Sequence, residues 1–201
     1  MDATFYFDFG SPNAYLAYRV LPAIEQRSGG RFDTVPVLLG GLFKLTANQS
    51  PITAYAGIPA KLAYEGREME RFVARHGLAA FRFNPNFPIN TLGLMRGAVA
   101  AQALDQFDPY VEVVFRAMWE GERNMGDPAV VAATLAEAGL PAAELLALTQ
   151  DVGIKSQLAA NTQRAFEDGA FGVPSFIVGG ELYFGKDRLG EVEEALAARK
   201  G

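Results

Sequence analysis

Thr4-Phe5-Tyr6-Phe7-Asp8-Phe9-Gly10-Ser11-Pro12-Asn13-Ala14-Tyr15-Leu16 is the stretch on which the fold turns. The apolar, aromatic run predicts a buried strand over 4–9, ended by the breaker cluster Gly10-Ser11-Pro12. From Asn13 onward Leu16, Val20 and Ile24 recur at helical spacing, and Pro12 suits a first helical turn because its missing N–H would have had no partner there. Pro22 lies inside the pattern, where it removes a backbone bond and is expected to kink the helix, and Ser28-Gly29-Gly30 ends it. Arg31 to Leu39, rich in Val and Leu, reads as a second strand, so the opening is a strand, helix, strand unit with a parallel pair.

Outward from this unit, the residues beyond Gly40-Gly41 carry little strand signal until about position 171. Asp108-Pro109 and Asp127-Pro128 each read as an N-cap acid followed by proline in the first turn; Gly139-Leu140-Pro141 separates two helices, and Ile154 to Glu167 forms another. Strand character returns over Val173 to Val178, and Gly179-Gly180 before Glu181 to Phe184 is a hairpin signature. Asp187 then reads as the cap of a last helix whose Leu189, Val192 and Leu196 share one face. The expected architecture is α/β: 1–41 and 168–201 form one domain, interrupted by an all-helical insertion over 42–167.

Composition narrows the chemistry. The chain has 201 residues, half of them hydrophobic, and a net charge of −5 that offers no basic surface for nucleic acid. The N-terminal residues lack the pattern of a secretory signal and no apolar run approaches bilayer length, so a cytoplasmic location and no membrane partner are expected. There is no cysteine and a single histidine, His76. Disulfide exchange by the chain's own thiols, a cysteine nucleophile and zinc sites built on Cys or paired His are thereby excluded, and no metal is expected. A Ser-His-Asp triad would need His76, which reads instead as a solvated residue at a helix end before Gly77.

Two segments carry chemistry. Ser11 stands at the mouth of a helix, where a hydroxyl and free amides sit at the positive end of the dipole; a plain N-cap is the other reading. In Phe171-Gly172-Val173-Pro174-Ser175-Phe176 a proline precedes a strand, and a cis proline there would leave the backbone of Val173 open to pair with an extended peptide. The turn-rich, aromatic stretch 82–90 has the composition of a pocket wall, with Arg82 or Asn84 facing a substrate carboxylate and Trp119 closing it; core packing is the alternative for Trp119.

With Asp8-Phe9-Gly10-Ser11-Pro12-Asn13-Ala14-Tyr15-Leu16, Asn84-Pro85-Asn86-Phe87-Pro88-Ile89-Asn90-Thr91, Phe171 to Phe176 and Phe184-Gly185-Lys186-Asp187-Arg188-Leu189 in this order, nearly the whole chain resembles the 2-hydroxychromene-2-carboxylate isomerase family. That family is akin to kappa-class glutathione transferases and, more distantly, to periplasmic disulfide-forming oxidoreductases. The resemblance implies a thioredoxin-like fold and glutathione as cofactor. It implies that Ser11 hydrogen-bonds the glutathione sulfur, that Val173 pairs with the cysteinyl backbone beside Pro174, and that Asp187 takes the γ-glutamyl ammonium. It further implies Lys61 and Asn48 near the glycyl carboxylate, although their spacing is longer than in kappa-class proteins and a solvated Lys61 is the alternative.

A free thiol with pKa near 8.5 is only about 3% thiolate at pH 7, and lowering that pKa by roughly two units takes about 2.7 kcal/mol, within reach of a hydroxyl donor plus a helix N-terminus. The implied reaction interconverts 2-hydroxychromene-2-carboxylate and trans-o-hydroxybenzylidenepyruvate, with glutathione returned unchanged. A transferase that consumes glutathione, and a module that binds a ligand without catalysis, are the rival readings. A homodimer is implied by the resemblance alone.

Overall fold

The computed structural model describes residues 2–199. β1 (Ala3–Phe7), α1 (Pro12–Ser28) and β2 (Phe32–Pro36) form the opening unit, and β1 and β2 run parallel from Ala3 opposite Phe32 to Phe7 opposite Pro36. Helices α2 (Leu39–Thr46), α3 (Pro51–Ala54), α4 (Pro59–His76), α5 (Leu92–Ala103), α6 (Phe107–Trp119), α7 (Pro128–Glu137), α8 (Ala142–Leu148) and α9 (Val152–Glu167) follow. β3 (Ser175–Val178), β4 (Glu181–Phe184), a 3-10 turn (Lys186–Arg188) and α10 (Leu189–Ala198) close the chain. The sheet order is β2-β1-β3-β4, with β3 antiparallel to both neighbours. This is a thioredoxin-like fold whose parallel unit and terminal hairpin are separated in sequence by helices. No helix among the described residues is long and apolar enough to cross a membrane.

Local chemistry accounts for most boundaries. α1 is capped by the Ser11 hydroxyl and ends at Gly29 in the left-handed conformation, φ 67°, and it continues through Pro22. Gly179 and Gly180 have φ of 62° and 88°, the two positive values that a tight hairpin between right-twisted strands requires. The two strands of the first unit are shorter than their apolar runs, because Asp8 and Gly10 turn the chain after Phe7 and Pro36 ends the second. Two caps differ from expectation. α6 starts ahead of Asp108-Pro109 with Gln106 at its N-cap, since proline anywhere in a first turn lacks only an N–H that has no helical acceptor. Asp187 does not cap α10; it lies within the 3-10 turn, and Arg188 holds the N-cap position with no capping bond from its side chain, which pairs with Glu191 at 2.8 Å.

The sheet and the helices between its halves share one core. Phe7 and Phe9 stand 5.2 Å apart edge to face, and Phe9 meets Phe115 of α6 at 4.8 Å. Tyr110 is buried beside them, its hydroxyl donating to the Leu94 carbonyl at 3.0 Å. A Cβ on Gly97 would lie 2.0 Å from that hydroxyl, so the close approach of α5 and α6 needs glycine there. α3 and α4 are different: Phe72 is the one fully buried side chain that they contribute.

Candidate active site

The junction between β1 and α1 is built around a buried carboxyl. Asp8 is fully buried; one oxygen accepts the Gly10 N–H at 2.8 Å and the other the Leu39 N–H at 2.8 Å, with the Thr91 hydroxyl a further donor. Burial dominates these donors and pushes its pKa up from the ordinary carboxylate value. One side chain thus ties together the loop before Ser11, the start of α2 and the start of α5. From the other side the Trp119 indole N–H donates to the Phe9 carbonyl at 2.8 Å.

On this support Ser11 is placed with little freedom. Its backbone is extended, its Oγ accepts the Ala14 N–H at 3.1 Å, and its hydroxyl donates to the Val173 carbonyl at 3.2 Å. Oγ therefore sits at the N-terminus of α1, within hydrogen-bonding distance of the loop before β3. The Val173-Pro174 bond is cis, and the Val173 N–H has no hydrogen-bond partner among the described residues. The Pro174 carbonyl accepts the Gly185 N–H at 2.9 Å, which brings the 3-10 turn and Asp187 alongside. Asp187 is two-thirds exposed and ion-paired to the ammonium of Lys186 at 2.6 Å. Phe171 and Phe184 form a partly exposed aromatic pair at the same edge, their ring centroids 4.4 Å apart.

Asn48 joins this group: its Nδ2 donates to the Phe171 carbonyl at 3.0 Å. Lys61 lies in the first turn of α4, exposed, its ammonium over the Tyr55 ring at 3.6 Å. Arg82, Asn84 and Trp119, expected along a pocket wall, stand in different surroundings. Asn84 is buried, and its amide donates to the Met118 and Arg123 carbonyls while its oxygen accepts from Asn86. Trp119 is buried with its N–H committed to Phe9, and the Arg82 guanidinium holds the Ala79 and Phe81 carbonyls. Trp119 supports the junction through Phe9, Asn84 spends its amide on carbonyls that lack regular backbone partners, and Arg82 stays exposed. His76 is exposed at the last turn of α4, its ring tilted against that of Phe72 at 4.3 Å between centroids.

The structural task of Asp8 is only faintly signalled by its sequence context. The available signal was a lone acid at the end of an aromatic strand, since an ionisable group in such surroundings is retained only where backbone donors meet it.

The chain is similar over nearly its full length to a 2-hydroxychromene-2-carboxylate isomerase of Pseudomonas putida, at 29% identity covering 98% of this chain and 94% of that one. Glutathione S-transferase kappa 1 of Rattus norvegicus matches at 24% identity, covering 92% and 85%. Among solved structures, that of a 2-hydroxychromene-2-carboxylate isomerase superposes with a TM-score of 0.84 at 26% identity, covering 99% of this chain and 96% of that one. The cytosolic disulfide reductase DsbM of Pseudomonas aeruginosa shares the fold, with a TM-score of 0.63 at 17% identity over 100% and 97% of the two chains. Residues 3–197 match the DSBA-like thioredoxin domain, and the chain belongs to that family.

Proposed function

We propose that the protein is a glutathione-dependent isomerase of the 2-hydroxychromene-2-carboxylate type, acting on an unsaturated aromatic acid. The observation that carries this reading is a serine hydroxyl at the N-terminus of α1, against the backbone of Val173, in a chain without cysteine. A thioredoxin-like centre with no thiol of its own suits chemistry on a thiol that the ligand brings.

The residues present fit glutathione. The unpartnered Val173 N–H can pair with a cysteinyl carbonyl, and Ser11 is one side-chain rotation from donating to a sulfur instead of the Val173 carbonyl. Pro12 has no N–H and that of Ala14 is held by Ser11, so the Asn13 N–H and the helix dipole are what favour an anion at that point. Bound there, glutathione would supply a thiolate nucleophile, the chemistry that reversible addition to a conjugated double bond requires. Ser11 would hold the sulfur as thiolate, Val173 and Pro174 would align it, and Asp187 would receive the γ-glutamyl amino end. Asn48 reaches the loop carrying Phe171, and Lys61 meets the glycyl carboxylate. We assign a homodimer and a cytoplasmic location as parts of the same reading. The similarity to a kappa-class transferase favours one second reading, conjugation of an electrophile in the same site.

The test is turnover of trans-o-hydroxybenzylidenepyruvate with substoichiometric glutathione. Many turnovers per glutathione, with the free thiol recovered in full, is the expected result. Consumption of one glutathione per product supports the transferase instead, and equal rates without glutathione contradict both.

A further inference from the structure

The turn between β2 and α2 is held by side chains from distant elements. The Asn161 amide of α9 donates to the Pro36 carbonyl at 3.1 Å, the Leu38 N–H donates to the Thr162 hydroxyl of α9 at 2.9 Å, and the Leu39 N–H donates to Asp8 Oδ2 at 2.8 Å. Leu38 is the N-cap residue of α2 and makes no side-chain bond there, so Asp8 supplies from the end of β1 the acceptor that a local cap would give. Of these three contacts only that of Asp8 continues into the loop at Ser11, where its other oxygen accepts the Gly10 N–H at 2.8 Å and its carbonyl the Ser11 N–H at 3.1 Å. There is little slack on either side. A Cβ on Gly10 would lie 3.2 Å from the Thr91 methyl, and one on Gly41 would lie 3.0 Å from that of Thr162.

The Ser11 side chain is oriented by Ala14 and Val173, whereas the place of its backbone is set through Asp8. Two N–H groups bound to one planar, fully buried carboxyl group cannot shift independently, and burial keeps water from replacing either bond. We propose that Asp8 is a positioning residue for the reaction: it ties Ser11 to the first residue of α2, so that the hold of Ser11 on a thiolate depends on the Leu39 N–H, a group with no part in binding the ligand. A donor stabilises developing charge only where it is already aimed, and about 1 Å of displacement can cost roughly a hundredfold in rate. The inference rests on the glutathione reading and adds to it a residue that acts through Ser11 without meeting the sulfur.

Two variants of the intact protein test it from opposite ends of the link. Asp8→Asn offers one acceptor oxygen to two N–H groups. Leu39→Pro removes the N–H on the α2 side and leaves Asp8 and Gly10 in place; proline fits there because Leu39 is the first helical residue and Leu38 is extended, with φ −93° and ψ 109°. The readouts are thiolate absorbance against pH with saturating glutathione, and kcat and KM for glutathione in turnover of trans-o-hydroxybenzylidenepyruvate. Each variant is expected to return about half of the wild-type lowering of the bound thiol pKa. Its kcat is expected to fall about tenfold at pH 6 and less than about threefold at pH 9, where the thiol is mostly ionised in every protein, with KM changed less than about threefold. Leu135→Ala, which empties a buried site in α7, is expected to keep the wild-type thiol pKa and pH profile despite its lost stability. If Asp8→Asn does not fold, Leu39→Pro carries the comparison. Wild-type thiol pKa and pH profile in variants that bind glutathione overturn the positioning role and leave the glutathione reading intact. An equal change in Leu135→Ala also overturns it. A wild type that binds no glutathione, or binds it without lowering the thiol pKa, overturns both.

Discussion

The β1–α1 junction and the α3–α4 arm supply opposite ends of one proposed ligand site, and they are built in opposite ways. At the junction Asp8, Ser11 and Trp119 are buried, and the polar groups of all three are hydrogen-bonded to backbone from distant segments. Along the arm Ile52, Ile58 and Tyr64 are exposed, and the one fully buried anchor is Phe72. The end proposed for the sulfur is thus preorganised, and the end proposed for the carboxylate, with Lys61, rests on a segment that few contacts hold. Reaction at a thiolate demands fixed donors, since electrostatic stabilisation is greatest where dipoles need not reorient. Holding a peptide terminus does not.

That contrast breaks first at Asp8. Asp8→Ala leaves the Gly10 and Leu39 N–H groups buried without their acceptor, and a loss of about 3–5 kcal/mol in denaturant unfolding is expected. Asp8→Asn can accept only one of the two N–H groups in the same geometry, and about 2 kcal/mol is expected. It also tests the pH dependence. Because burial raises the native pKa of Asp8, this group favours the folded state most below its unfolded pKa, and that contribution is lost as pH rises through the native value. In Asp8→Asn this component of the stability–pH profile is expected to vanish.

Phe72→Ala sharpens the comparison from the other side. It is expected to cost roughly 2–4 kcal/mol, with the amides of α4 losing hydrogen-exchange protection well before those of β1. Equal loss of protection in both would show that arm and junction open as one unit. Lys61→Ala is expected to change stability by less than about 0.5 kcal/mol and to weaken glutathione several-fold, read by titration. A larger stability loss would mean that the arm is anchored through Lys61 on Tyr55.

The parallel unit, the hairpin and the helical stretch between them are legible in sequence because each is fixed by local chemistry. Ser11 before Pro12, Gly29 at a left-handed cap and Gly179-Gly180 at two positive φ values need no knowledge of distant residues. The site is only half legible. Ser11 and Val173 are found by position relative to turns. The tasks of Asn84 and Trp119 depend on which orphan carbonyls, those of Met118, Arg123 and Phe9, the fold brings within reach. Composition cannot separate a polar side chain that faces a ligand from one that completes a loop. Asp187 reads as a helix cap, and the structure pairs it with Lys186 instead, because the 3-10 turn moves the helix start beyond it.

Whether Ser11 holds a borrowed sulfur as thiolate is measured most directly by titrating the protein and Ser11→Ala with glutathione while following thiolate absorbance in the ultraviolet against pH. The wild type is expected to lower the pKa of bound glutathione by about two units from its free value, and Ser11→Ala to return at least one of them, while losing only about 1 kcal/mol of stability for the missing cap. Equal thiolate at every pH in both proteins, with glutathione bound in each, would contradict the account.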